Sequence, residues 1–222
     1  MDDIRPEYAD SVAEEVRALG RQAMAVYADV TKRDEVDKMV ADAMEKFGHI
    51  DILVNNVGGG ISPQDGHIHF KDMTPEHWAG VFDKNLISAM HCTQAVLPHM
   101  MAQKKGKIIV ESSGAALRGG KNETDYCAAK AGLHGFVVGL SHDVVGYGIR
   151  ANCVIVNPCG DAPSKKRVGL TKEELIKRDT FRLNLPRQIM PEEIAALVAF
   201  LASDESDFMN GQTFYTGGLC DY

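Results

Sequence analysis

The spacing of apolar residues predicts helices and strands that alternate along the chain. Apolar positions recur at helical spacing over residues 6–19, 36–47, 74–101, 123–145 and 191–201. Shorter apolar runs, typical of buried parallel strands, lie between them at residues 24–28, 50–54, 107–110, 150–156 and 213–215. This alternation predicts one α/β domain over residues 1–222, in which helices cover a parallel sheet.

The composition is that of an ordinary globular chain and excludes several classes of protein. Hydrophobic residues make up 45% and charged residues 25% of the chain, so a packed core is expected rather than disorder. The formal net charge is −7 and basic residues form no long run, which argues against a nucleic-acid partner. No apolar stretch approaches the roughly 18 residues of a membrane span, so no membrane association is expected.

Cysteine and histidine usage adds two further expectations. The five cysteines form no C-x-x-C pair, and their odd number is typical of reduced thiols. Because the N-terminus also lacks the shape of a signal peptide, the chain is predicted to be cytoplasmic. His67 and His69 could hold a metal, but no cysteine or carboxylate lies at a suitable spacing, so no metal site is predicted.

Polar residues gather after the predicted strands, where open parallel sheets bind their ligands. Ser113 follows the strand at 107–110, and Tyr126 and Lys130 lie four residues apart, therefore on one face of the next helix. A neighbouring ammonium group favours the phenolate and lowers the pKa of a tyrosine, which is ordinarily about 10. With Ser113 as a hydrogen-bond donor, these residues suit proton transfer to or from an alcohol or carbonyl oxygen. Taken alone, the Tyr-x-x-x-Lys pair is better explained by a solvated helix face, but its place after a strand that ends in two serines favours the chemical interpretation.

The complete set of motifs resembles the short-chain dehydrogenase/reductase family over nearly the whole chain. The matching segments are Asp29-Val30, Asn55-Asn56-Val57-Gly58, Asn85, Ser113, Tyr126 with Lys130, and residues 191–194, 199–203, 211–213 and 217–218. The resemblance implies a three-layer Rossmann-like fold. It also implies hydride transfer between NAD(P) and a secondary alcohol or ketone.

The same resemblance implies the roles of individual residues. Tyr126 would be the general acid/base, Lys130 would lower its pKa and bind the nicotinamide ribose, and Ser113 would orient the substrate oxygen. Asn85 would hold a water molecule linked to Lys130. The cofactor-binding positions would be Asp3, Asp29, Val30, Asn55, Val57, Gly58, Tyr126, Lys130, Pro158 and Gly160. Asp3 implies NAD, with NADP less favoured, because its carboxylate would repel a 2′-phosphate.

The sequence departs from the family pattern in two places. The glycine-rich turn after the family's first strand is absent, so we expect an N-terminally incomplete domain whose sheet lacks the first two strands. Segment 24–28 would then pair directly with strand 50–54 if the chain folds by itself, or a gap would separate the two. In the second departure, Cys159 is inserted after Pro158, and the threonine that contacts the carboxamide in the family is missing.

Two readings of function therefore stay open. The first is an oxidoreductase acting on a small-molecule alcohol or ketone through Ser113, Tyr126 and Lys130. The alternative is a truncated, non-catalytic relative that acts as a binding or assembly subunit, because the turn that cradles the pyrophosphate is missing. Either protein is expected to form a homodimer or homotetramer, since two long helices carry apolar residues on more than one stripe. These residues are Leu86, Met90 and Val96, and Leu133, Val137 and Leu140.

Overall fold

The chain folds around a four-stranded parallel sheet whose strand order is β1-β2-β3-β4. The computed structural model describes residues 6–59, 68–157, 159, 187 and 189–217. The strands are β1 (Ile52–Asn55), β2 (Gly106–Ser113), β3 (Ile149–Val156) and β4 (Thr213–Tyr215). The predicted α/β fold with a helix-flanked, Rossmann-like parallel sheet is confirmed.

Two helices precede β1, and the others lie between the strands along the chain. They are α1 (Pro6–Ala18), α2 (Arg33–Phe47), α3 (Pro75–Phe82), α4 (Ser88–Gln103), α5 (Ala115–Arg118), α6 (Thr124–Val144) and α7 (Pro191–Ala202). Short 3-10 turns occur at Phe70–Asp72, Val145–Tyr147 and Asp204–Ser206. Two of the ends follow directly from sequence. Gly48 closes α2 in the left-handed conformation at φ 78°, and the Thr74 hydroxyl accepts a hydrogen bond from the amide of His77 at the start of α3.

Two apolar clusters cover the two faces of the sheet. Ile108 and Val110 of β2 pack with residues of α4 and α6, whereas Ile109 packs with Val154 and with Leu201 of α7. This alternation follows from the pleat of a strand, which sends successive side chains to opposite faces. It continues to the end of β2, so that Ser112 and Ser113 face different sides of the sheet.

Segment 24–28 does not form the buried strand that the sequence predicted. Only Val26 has β-bridge geometry, Tyr27 is 52% exposed, and the direct pairing of this segment with β1 is not formed. This segment and the residue before it make hydrogen bonds to α1. The Tyr27 hydroxyl donates to Asp10 of α1 at 2.7 Å, and the Arg17 guanidinium donates to the carbonyl of Ala23 at 3.2 Å. These contacts tie this part of the chain to α1.

The single helix predicted over residues 74–101 is interrupted by a π-helical turn at Asp83–Ile87. The side-chain amide of Asn85 donates to the carbonyl of Val81 at 2.8 Å, inside the turn that joins α3 to α4. Such single-turn π-helices often occur at functional sites.

Most of the apolar positions that predicted assembly are accounted for within one chain. Val96, Leu133, Val137 and Leu140 are buried in the cluster between the sheet and α4 and α6, and Leu86 packs against it. Met90 is the exception, at 40% exposed. The apolar stripes are thus largely core, and the predicted oligomer stays a prediction.

Candidate active site

Four side chains expected at the site are positioned by three elements of the fold. Ser113 is the last residue of β2, Tyr126 and Lys130 lie in the first half of α6, and Asn85 lies in the π-helical turn. The contacts of α6 with β2 and with the π-helical turn place these residues around one end of the sheet. This is the carboxyl end of the strands, where open parallel sheets bind ligands.

Asn85 ties the π-helical turn to the loop after β1. It is fully buried, its Nδ2 donates to the carbonyl of Gly59 at 2.9 Å, and its Oδ1 accepts from the amide of the same residue at 2.9 Å. Both backbone groups of Gly59 are therefore satisfied by one side chain. Its predicted role in holding a water molecule stays a prediction.

Lys130 brings a buried ammonium group to the same loop. The residue is 4% exposed, and its Nζ donates to the carbonyl of Glu111 at 3.0 Å. Burial lowers the pKa of Lys130 to about 8, although the Glu111 carboxylate opposes that shift. A Cβ on Gly58 would lie 2.7 Å from the Lys130 Nζ and 2.8 Å from the Asn85 Oδ1, so only a glycine leaves room for both polar groups.

The pKa of Tyr126 is raised above its ordinary value, which differs from the expectation. Burial is the main cause, and a hydrogen bond with Ser113 opposes it. Lys130 does not reverse the effect, because its Nζ lies 6.0 Å from the centre of the tyrosine ring and donates to Glu111. In this arrangement of side chains, Tyr126 is a protonated phenol at neutral pH.

Apart from Tyr126 and Lys130, the predicted cofactor positions divide into three groups. Asn55, Val57 and Gly58 lie at and just after the carboxyl end of β1, where Val57 and Gly58 are exposed and Asn55 is buried against Thr93. Asp29 and Val30 precede α2, and the Asp29 carboxylate accepts hydrogen bonds from the amide and hydroxyl of Thr31, while Val30 is a core residue. The remaining three, Asp3, Pro158 and Gly160, fall outside the described residues.

Sequence reasoning overlooked two histidines that contact this site. His77 of α3 has its Nε2 3.2 Å from Oδ2 of Asp125, the residue before Tyr126. His134 of α6 has its Nε2 2.8 Å from the hydroxyl of Ser112. The position of His134, four residues after Lys130, was the one available signal. The contact of His77 with Asp125 depends on how α3 packs on α6 and left no trace in the local pattern.

Other predictions from the sequence concern a metal site, a membrane-spanning helix and the cysteines. Among the described residues no group of three or more His, Cys, Asp or Glu side chains could hold a metal ion. His67 lies outside that part of the chain, and the His69 ring accepts the amide of Lys71 at 3.3 Å. Within the same ranges no helix is long and apolar enough to span a membrane. Among the described residues, Cys92, Cys127, Cys153 and Cys159 form no disulfide.

Comparison with known proteins places this geometry in a family. The profile described as enoyl-(acyl carrier protein) reductase matches residues 2–219. A 3-oxoacyl-[acyl-carrier-protein] reductase of Synechocystis is 35% identical over 95% of this chain and 81% of its own length, and one of Thermotoga maritima is 33% identical over 98% and 85%.

Solved structures agree with the sequence matches. A putative short-chain dehydrogenase/reductase from Burkholderia xenovorans superposes with a TM-score of 0.86 and 29% identity, covering 99% of this chain and 84% of that one. An NAD⁺-bound xylitol dehydrogenase gives a TM-score of 0.88 and 25% identity, covering 98% and 87%. The chain belongs to the short-chain dehydrogenase/reductase family of oxidoreductases.

Proposed function

We propose that this protein transfers hydride between a nicotinamide dinucleotide and the carbon of a secondary alcohol or ketone, with Tyr126 as the general acid/base. The observation that carries the proposal is the meeting of Ser113, Tyr126 and Lys130 at the carboxyl end of β2. The Ser113 side chain acts to lower the pKa of the Tyr126 phenol, and the Lys130 Nζ lies 6.0 Å from the centre of the same ring.

The protonated state of Tyr126 suits the direction of reduction. A buried phenol holds its proton at neutral pH, so it donates that proton to a carbonyl oxygen as negative charge develops there. Ser113 can donate a second hydrogen bond to the same oxygen and so orient the carbonyl group. In the direction of oxidation, Tyr126 must first lose its proton, and the cationic form of Lys130 stabilises the phenolate.

The residues around Lys130 fit a nicotinamide ribose. An ammonium group has three N–H donors, and in the described residues one of them reaches the Glu111 carbonyl. The bare Cα of Gly58 leaves the space beside Nζ open. When bound, a nicotinamide dinucleotide supplies the hydride chemistry that no side chain can provide. Lys130 would hold its ribose, and Asn55, Val57 and Gly58 would line the strand end beneath it.

The proposed cofactor is NAD, and the proposed reacting group of the substrate is a ketone or a secondary alcohol. NAD rather than NADP is the choice predicted from Asp3, which lies outside the described residues. The named relatives act on 3-oxoacyl groups and on xylitol, which favours a ketone or a secondary alcohol as the reacting group here. The predicted cytoplasmic location stays a prediction.

Turnover by the purified chain tests the proposal. NADH and NADPH are each offered with a 3-oxoacyl thioester, a 3-oxo ester and a polyol ketone, and oxidation of the nicotinamide is followed by absorbance. Tyr126→Phe is expected to lower kcat by about two to four orders of magnitude while cofactor binding, followed by quenching of Trp78 fluorescence, is kept. Tyr147→Phe, at an exposed tyrosine, is the matched control.

Two results would contradict the proposal. One is near-wild-type turnover by Tyr126→Phe. The other is a wild-type chain that reduces no compound of the panel, and the fluorescence titration then tests the non-catalytic reading. A chain that binds neither cofactor fits an assembly subunit, whereas one that binds without turnover fits a binding subunit.

A further inference from the structure

Ser112 joins the end of β2 to the helix that carries Tyr126 and Lys130. It is 3% exposed and faces α6, on the opposite side of the sheet from Ser113. Its hydroxyl donates to the main-chain carbonyl of Lys130 at 2.9 Å. That carbonyl belongs to the main chain of α6, so the hydrogen bond links the strand directly to the helix.

His134 completes this link, and the hydrogen count fixes its direction. Its Nε2 lies 2.8 Å from the Ser112 Oγ. A serine hydroxyl has one proton, which here goes to the Lys130 carbonyl, so the imidazole must be the donor. His134 therefore carries its proton on Nε2. Because it lies one helical turn after Lys130, the three residues form a closed loop of contacts between β2 and α6.

Three consecutive residues of β2 thus reach the two site residues of α6. The Glu111 carbonyl accepts from the Lys130 ammonium, Ser112 donates to the Lys130 main chain, and Ser113 interacts with the Tyr126 hydroxyl. The end of β2 therefore contacts both ends of the turn of α6 that runs from Tyr126 to Lys130. A shift of α6 along the sheet would break all three contacts together.

We propose that Ser112 and His134 are positioning residues, which hold the Tyr126–Lys130 turn of α6 in register with Ser113. The inference rests on the proposed function, since the geometry held in place is that of proton transfer to a substrate oxygen. Neither side chain touches the reacting atoms. They act on the distance between Ser113 on the strand and Tyr126 on the helix.

Four variants test the proposal. Ser112→Ala removes both contacts, and His134→Leu removes the imidazole donor but keeps an apolar side chain of similar reach. His134→Gln supplies an N–H at the same reach and serves as the rescue variant. His142→Leu changes an exposed histidine near the end of α6 and is the control.

The variants are expected to change kcat and to leave KM nearly unchanged. Ser112→Ala and His134→Leu lower kcat by about tenfold and leave KM within about twofold, because misplacement of catalytic groups slows the chemical step. His134→Gln recovers most of kcat, and His142→Leu equals wild type. The Ser112→Ala/His134→Leu double variant is expected to be no slower than Ser112→Ala, since both side chains act through one contact. Wild-type kcat in Ser112→Ala and His134→Leu overturns the proposal, as does a change confined to KM.

Amide hydrogen exchange gives a readout that does not depend on turnover. Exchange over residues 126–134 is expected to be faster in Ser112→Ala and His134→Leu than in wild type, and unchanged in His142→Leu. If the wild-type chain reduces no substrate, the proposed function fails, and amide hydrogen exchange is then the test of the positioning role. Unchanged protection in both variants then overturns it, and faster exchange upholds it.

Discussion

His77 and Asp125 meet at the start of the helix that carries Tyr126. The imidazole Nε2 lies 3.2 Å from the carboxylate Oδ2, and the two side chains are 20% and 5% exposed. The Oδ2 atom is buried and has no hydrogen-bond partner among the described residues. The other carboxylate oxygen accepts the amide of Tyr126 at 2.8 Å. Asp125 thereby connects α3 to the main chain of the predicted general acid.

Removing this carboxylate is expected to destabilise the fold. Asp125→Ala leaves the amide of Tyr126 without its acceptor and His77 without its partner, at a cost of about 2 kcal/mol in the free energy of unfolding. Asp125→Asn keeps the acceptor for the amide and is expected to lose less. Urea denaturation measures both, with Asp143→Ala at an exposed position of α6 as the control. An Asp125→Ala protein as stable as the control would show that the contact contributes nothing.

Lys130 is expected to give the free energy of unfolding a specific pH dependence. Its pKa in the folded chain is lowered to about 8 from an ordinary value of 10.5, so the unfolded chain binds more protons between these two values. Stability contributed by this group therefore rises with pH across that window, by about 3 kcal/mol at most, and is at its lowest below pH 8.

The variant Lys130→Met isolates this contribution. At neutral pH it is expected to be more stable than wild type, because no ammonium group must be buried, while turnover is lost. Urea denaturation of both proteins from about pH 7 to about pH 10 measures the difference, which should shrink as pH rises. A difference that is constant with pH would mean that the pKa of Lys130 is not depressed.

Asn85 is expected to stabilise the loop after β1 as well as the π-helical turn. Asn85→Ala leaves the amide and carbonyl of Gly59 without their side-chain partner, which should cost about 2 kcal/mol. Limited proteolysis should then cut near residues 57–59 more quickly. Gln94→Ala, at an exposed position of α4, is the matched control. Wild-type stability and wild-type protease resistance together would contradict this account.

Assembly of the chain is expected to use the exposed apolar residues of α4 and α6. Met90 is 40% exposed and Val138 is 46% exposed, whereas the other large apolar side chains of α4 and α6 are buried or packed against the core. Light scattering is expected to give a dimer or a tetramer for the wild-type chain. Met90→Glu with Val138→Glu should yield a folded monomer, whereas Leu19→Glu, at the exposed residue just after α1, should leave the assembly unchanged. A wild-type monomer at micromolar concentration would refute the prediction.

Local pattern was sufficient for most of the elements. A strand at 213–215 is predicted and found with the same bounds, and α2 ends at Phe47 before Gly48 as expected. These features depend on alternation, helical spacing and the freedom of glycine at positive φ, all of which act within a few residues. The candidate site residues could also be named from sequence, because their motif spacing follows the strand and helix that carry them.

Segment 24–28, the turn at Asp83–Ile87 and the ionisation of Tyr126 depend on distant contacts. An apolar run becomes a strand only where a neighbouring strand is placed to supply hydrogen bonds, and the described side-chain contacts at Tyr27 and at the adjacent Ala23 reach α1. Local sequence is enough to identify which residues are available for the chemistry and which elements carry them. Their protonation and the contacts that His77 and His134 make around them depend on the tertiary structure, because desolvation and hydrogen bonding involve residues brought together by packing and not by chain order.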